Sequence, residues 1–386
     1  MSSRAPSSLR AGRKALEALS HPAGHAQRRY LSSTAPQSSS VVKFRTDNPE
    51  LKELLTTLRE KIILPFYLPP DQRQRVFNAK YKQKLLDDPI TMEVDGEELR
   101  FGYIDPLHDL PDTKKLVTEA VGAMKTPTDF RNLPALLEGL RLAHRFVKDS
   151  VYQKMIRRAG MHGCIDVILD CVKQVKRTGL RLDNSQSINE LLAFIQKEAL
   201  ASGWDKKETE RALRRTQALV DMLEEEPLHW PTKNPKGKKV FRGFPFYRDP
   251  QILAARLHMA AAMAVKHQGG HDVDGKVAKY ARELLGLWPT DKGLLELHPV
   301  EAYASDAEMR YLLNRNSFLW FASPVLNGLR LAAQVVEPAL AQQLLVRAKN
   351  VEEQIETALA DKDRVPGGRG EELYNELFGA QGSTAA

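Results

Sequence analysis

The chain has 386 residues, with 57 Lys and Arg against 49 Asp and Glu and a formal net charge of +8. Residues 1–30 hold six of the positive charges and one negative, so only +3 belongs to the remainder, and overall basicity alone gives no argument for a nucleic-acid partner. Two cysteines, and no apolar run approaching the ~20 residues of a membrane span, exclude a disulfide framework and membrane insertion.

Arg4, Arg10, Arg13, Lys14, Arg28 and Arg29 stand against a single acid, Glu17, with Ser and Ala filling most of the rest. That is the composition of a mitochondrial transit peptide. The stretch LRAGRKALEAL sets Leu9, Leu16 and Leu19 near one helical face, with the basic residues mostly elsewhere. Arg28-Arg29-Tyr30 before Leu31 resembles the Arg-x-Tyr site of the matrix processing peptidase. The expectation is a presequence over 1–30, a mature start at residue 31 or 32, and a mitochondrial matrix location.

Residues 31–128 read as an extended arm. LKELLTTLREKIILP and DQRQRVFNAKYKQKLL predict two helices separated by FYLPP. ITMEVDGEELRF alternates apolar and polar about Asp95-Gly96, a strong hairpin signal. GYIDPLHDLPDTKK, broken by Pro106 and Pro111, reads as an extended connection.

From 129 to 226 the pattern predicts helical hairpins. In SINELLAFIQ, Ser187 and Glu190 read as a capping box, and Ile188, Leu191, Leu192 and Ile195 follow at i, i+3, i+4, i+7. Asp205 reads as the cap of a helix that buries Leu213, Leu219, Val220 and Leu223. Gly160, Gly179 and Gly203 are candidate helix C-caps. Cys164 and Cys171 lie seven apart, roughly 10 Å along a helix and too far for a disulfide, so two buried thiols are expected.

Residues 227–249 form a basic, aromatic linker holding four prolines and five aromatics. Lys233, Lys236, Lys238, Lys239, Arg242, Phe244, Tyr247 and Arg248 are its candidate RNA-binding residues. Lysines on such a loop neutralise phosphates without fixed geometry, and aromatics stack on unpaired bases or dock in a protein groove. The competing reading is an interdomain linker whose aromatics pack on the chain itself.

Residues 250–362 again predict helical hairpins, including one from SDAEMRYLL with Ser305 and Glu308 as cap residues. His267, His271, Asp272 and Asp274 are metal-ligand types, but Gly269 and Gly270 separate the histidines, so a helix end followed by an Asp cap is expected, with no metal and no cofactor. Residues 363–386 form a tail in which Leu373, Tyr374, Leu377 and Phe378 share one face of a short helix, a candidate partner-docking face. His144, His162 and His258, and the cluster Asp105, His108 and Asp109, read as ordinary core or solvated residues. No phosphate loop, nucleophile elbow or dinucleotide fingerprint occurs, so the chain is not expected to be an enzyme or to take a small-molecule substrate.

The fold class expected is all-α, an array or irregular bundle of antiparallel helical hairpins with one small β-hairpin in the arm. PALLEGLRLAHRFV, PQILAARLHMAAAM and PVLNGLRLAAQVV each open on a proline, expected in the first helical turn, and reach Arg-Leu six or seven residues later. KRTGLRLDNSQSINELL is loosely similar to a pentatricopeptide junction. At the level of architecture, residues 130–360 resemble the helical-repeat proteins of mitochondrial gene expression, pentatricopeptide-like and tetratricopeptide-like, and the accessory subunits of mitochondrial ribosomes. That resemblance implies a non-catalytic component of mitochondrial translation whose partners are mitochondrial ribosomal RNA or mRNA and ribosomal proteins. The alternative is a matrix assembly factor or chaperone for a respiratory-chain complex.

Overall fold

The computed structural model describes residues 41–94, 96–230, 243–304, 308–360 and 367–379. The expected presequence therefore lies outside the described residues. Among the described residues the regular elements are helices apart from one hairpin, as the all-α expectation requires.

Asn48 caps α1 (Pro49–Thr57) by accepting from the Glu50 and Leu51 amides. The helix then widens into a π-helical turn over Leu58–Ile63, which buries Leu58, Ile62 and Ile63. The single helix expected over residues 71–86 is two, α2 (Pro70–Val76) and α3 (Lys82–Asp87). The Asn78 side chain intervenes, accepting from the Lys80 amide and starting a separate turn.

Strands β1 (Ile90–Val94) and β2 (Glu97–Phe101) pair antiparallel, with Val94 opposite Glu97 across the expected Asp95-Gly96 turn. Leu99 and Phe101 join Val41, Leu64, Leu68, Val76 and Ile104 in a small core of their own. Arg59 ties the hairpin down, donating to the Val42 carbonyl at 2.8 Å and pairing with Glu97 at 2.6 Å. The Arg59 guanidinium holds the Glu97 carboxyl below the usual carboxylate range.

The main core begins with α4 (Thr113–Ala123), α5 (Pro127–Phe130), α6 (Leu133–Leu142) and α7 (Asp149–Met161). It continues through α8 (Ile165–Lys173), α9 (Val175–Thr178), α10 (Ser185–Ala201) and α11 (Lys206–Glu225). Asp205 caps α11, and Leu213, Leu219, Val220 and Leu223 are buried as the periodicity predicts. Helix α10 buries Ile188, Leu191, Leu192 and Ile195, yet its cap is Asn184 rather than Ser187. Glu190 is thereby free of a capping role and lies buried in an ion pair.

Gly179 and Gly203 have positive φ and end helices as expected. Gly160 does not, since it lies inside α7, where any Cβ would strike the Phe194 ring of α10. It is small to let two helices touch, and Gly163 makes the turn that follows. Cys164 and Cys171 are free and buried, and burial pushes the Cys171 thiol up to about 12.

After the linker come α12 (Pro250–His267), α13 (Lys276–Leu287), α14 (Val300–Ala304), α15 (Arg315–Ala333), α16 (Pro338–Ala360) and α17 (Arg369–Phe378). Helix α12 is apolar on nearly all sides and is buried along most of its length, packed among α10, α11, α13 and α15. Of the helix expected from Ser305, residues 305–307 lie outside the described residues; the part described contains a 3-10 turn, Arg310–Leu313, and Asn314 then caps α15 by accepting from the Ser317 amide. Pro324 is likewise the tenth residue of α15 rather than a first-turn proline, whereas Pro134 and Pro250 do open helices. Residues 41–386 form one compact unit by themselves.

At the crossing of α12 and α15, His258 is fully buried, its Nδ1 2.8 Å from Gln196 Oε1 and its Nε2 2.9 Å from Asn327 Nδ2. The partners fix the neutral tautomer in which Nδ1–H donates to Gln196 and Nε2 accepts from Asn327. Burial lowers the pKa of this imidazole to about 3. The unfolded chain, with a histidine near 6.5, takes up a proton that the native state refuses, so stability falls as pH drops from about 6.5 towards 3. The expected slope is about 1.4 kcal/mol per pH unit from this group. Urea unfolding at pH 6.5 and 4.5 should therefore show a steeper loss for the parent than for His258→Gln; equal slopes would assign acid sensitivity elsewhere.

Candidate nucleic-acid interface

The basic linker is anchored at both ends. Glu226 accepts from the Leu228 amide and starts the turn Pro227–His229. His229 is buried and accepts the Leu182 amide at Nδ1, 3.2 Å away, while Trp230 donates from Nε1 to the Leu223 carbonyl at 3.1 Å. Burial lowers the His229 pKa, which keeps the ring neutral and able to accept.

At the far end Phe244 meets His298 edge-on with ring centroids 5.7 Å apart. Phe246 is buried, and Tyr247 packs half-buried on the core. Asp249 caps α12 through the Gln251 amide and holds His298 at 3.2 Å. Arg248 is exposed. Of the candidate RNA-binding residues, Lys233, Lys236, Lys238, Lys239 and Arg242 lie outside the described residues. Phe244 and Tyr247 have their rings against the body, with Arg248 beside them facing solvent. The chain thus leaves and rejoins its core at two aromatic anchors.

The second candidate, the tail helix, is seated on its own chain. Leu373 is buried, and Tyr374, Leu377 and Phe378 pack half-buried on the core beside α15. Arg369 makes a bidentate pair with the buried Glu190 of α10 and lies over the Trp320 ring at 4.7 Å. The Gly370 amide donates to Asn316 Oδ1 at 2.6 Å. The apolar face offered for docking is thus largely occupied by α15, because Arg369 and Gly370 fix the start of the helix against it.

Among the described residues no cluster of three or more metal-ligand side chains occurs. His267 contacts the Trp204 carbonyl, Asp272 accepts from the Val277 and Ala278 amides at the start of α13, and Asp274 pairs with Lys276. Asp105, His108 and Asp109 form an exposed turn, with His108 Nδ1 3.0 Å from Asp105. No helix among the described residues is long and apolar enough to cross a membrane.

The family model described as mitochondrial ribosomal protein mS27 matches residues 28–376. The chain belongs to the mitochondrial ribosomal protein mS27 family. It is 41% identical over 401 residues to the small ribosomal subunit protein mS27 of Neurospora crassa, an alignment that covers 99% of this chain and all of the relative. As a member of the mS27 family the chain is a mitochondrial ribosomal protein, as the ribosomal part of the sequence resemblance implied. The helical-repeat part rests on unequally spaced segments, of which one has its proline inside α15. His229, His298 and Asp249, which anchor the linker, escaped the sequence reading, although Asp249-Pro250 is a legible cap signal.

Proposed function

We propose that this chain is a non-catalytic structural subunit of the small subunit of the mitochondrial ribosome, held in the matrix by ribosomal RNA and neighbouring ribosomal proteins. The match of an mS27 small-subunit protein along the whole chain carries this reading. The presequence over 1–30 is removed on import. Residues 231–242 bring Lys236, Lys238, Lys239 and Arg242 to RNA phosphates from the two anchors of the linker. The role is scaffolding, which suits a helical body built round one extended buried core.

Sedimentation of tagged chain from mitochondrial lysate tests the reading. It should travel with the small subunit and move to the top of the gradient after RNase; free sedimentation before RNase would overturn the assignment. Replacing Lys236, Lys238, Lys239 and Arg242 together by Gln should leave the unfolding midpoint nearly unchanged. The slope of log affinity for single-stranded RNA against log salt should flatten by up to ~3, from about 0.7 per phosphate. Binding as tight as the parent's at every salt concentration would remove the loop from the RNA contact.

A further inference from the structure

A second basic and aromatic surface, which the sequence reading passed over, lies where α6 turns into α7. Helix α6 ends with the His144 amide bonded to the Arg141 carbonyl at 3.0 Å and the Arg145 amide to the Leu140 carbonyl at 2.8 Å. This is a Schellman-type end, in which the residue at positive φ is usually glycine. Here it is His144, at φ +52. A side chain in that conformation costs roughly 1–2 kcal/mol, so its presence asks for a use. The His144 ring stands edge-on to Phe66 at 6.0 Å, and the Arg73 guanidinium covers Phe66 at 4.6 Å.

The turn throws Phe146 outward. It is 94% exposed, the most exposed of the large apolar side chains described, and it lies between the exposed Arg145 and Lys148. Beside it opens a cleft of about 560 Å³, lined by Arg141, Arg145, Phe146, Tyr152 and Arg181 among others. Arg141, Arg145, Lys148 and Arg181 make no ion pair among the described residues. Asp149 and Asp183 also line the cleft, so its charge is mixed, a basic rim with two carboxylates. Leu182, which donates to the linker anchor His229, sits between Arg181 and Asp183, so the cleft adjoins the point where the basic linker leaves the core.

An aromatic ring held in water between cations, over a cleft with room for a nucleotide, matches unpaired RNA better than duplex or an apolar protein segment. We propose that this cleft holds one unpaired nucleotide of ribosomal RNA, its base stacked on Phe146 and its flanking phosphates on Arg141 and Arg145. The carboxylate of Asp149 then accepts from the 2′-hydroxyl or a base amino group, which separates RNA from an acidic peptide. The inference rests on the proposed ribosomal role and adds a second RNA contact to it.

The test uses full-length chain and a fluorescein-labelled single-stranded RNA 12-mer, with the same RNA as a duplex. Phe146→Ala should weaken single-strand binding roughly 5- to 100-fold, the loss of one base–aromatic stack, with the salt slope unchanged. Phe146→Trp should restore it, and both variants should unfold at the parent's midpoint. Arg141→Gln with Arg145→Gln should flatten the salt slope by about 1.4. Unchanged RNA affinity of Phe146→Ala overturns the proposal; if that variant also leaves the ribosomal particle, the occupant is a protein. Failure of the parent to sediment with the small subunit would instead overturn the ribosomal reading itself.

Discussion

Removal of residues 367–386 is expected to lower the stability of the chain by at least ~4 kcal/mol, even though the segment is terminal. Leu373 is buried, and returning it to water costs about 1.5–3 kcal/mol. Loss of Arg369 also leaves Glu190, a carboxylate 4% exposed, facing only Arg157 at 3.7 Å. Stripping one partner from a buried pair costs about 3–5 kcal/mol, because the remaining charge stays desolvated. The two losses overlap in space, so they are not summed in full. Arg369→Met keeps the stem over Trp320 and removes only the charge, and should account for about 3 kcal/mol of the total. Urea unfolding of the parent, the truncation and Arg369→Met reads all three. An unchanged midpoint on truncation would mean that α17 contributes nothing to the fold and that its apolar face is available to a ribosomal partner.

Gly328→Ala is expected to cost about 3 kcal/mol or more. A Cβ at this position of α15 would lie 2.6 Å from the His258 Cβ and 2.9 Å from its Cα. The obstacle is partly backbone, which cannot rotate aside, so α12 and α15 would have to separate along their main contact. Overpacking of this kind costs about 1–3 kcal/mol. Displacing His258 from Gln196 and Asn327 adds the cost of buried polar groups losing their partners, about 1–3 kcal/mol. Gly286→Ala in α13 is the control. Nothing lies within 4 Å of its Cβ position, so the better helix former should be neutral or should stabilise by up to ~1 kcal/mol. Equal effects of the two substitutions would show that glycine at the crossing is not required by close approach.

The buried apolar residues of α10, the amphipathic stripe of α11, the Asp205 cap, the Asp95-Gly96 hairpin and the glycines that end helices at 179 and 203 were all legible without coordinates. Each is fixed by residues within a turn or two of one another, so the local pattern carries the answer. The ribosomal family was legible only as a resemblance of architecture, since scaffolding leaves no reactive motif in a sequence.

Other assignments failed where a distant residue decides what a local one does. Glu190 has the spacing of a capping residue, yet Arg369, 179 residues away, takes it as an ion-pair partner. Gly160 looks like a helix end, yet it is small because Phe194 presses on it from another helix. The tail face looks free because a sequence cannot display the α15 surface that receives it. The sequence by itself therefore determined the all-helical class, the buried apolar residues of its strongly periodic helices and the charge of the linker, all consequences of short-range periodicity and composition. Only the tertiary structure decided which helices touch, which charges are buried and which aromatic, Phe146, is left in water, because burial is a property of neighbours brought together by the fold.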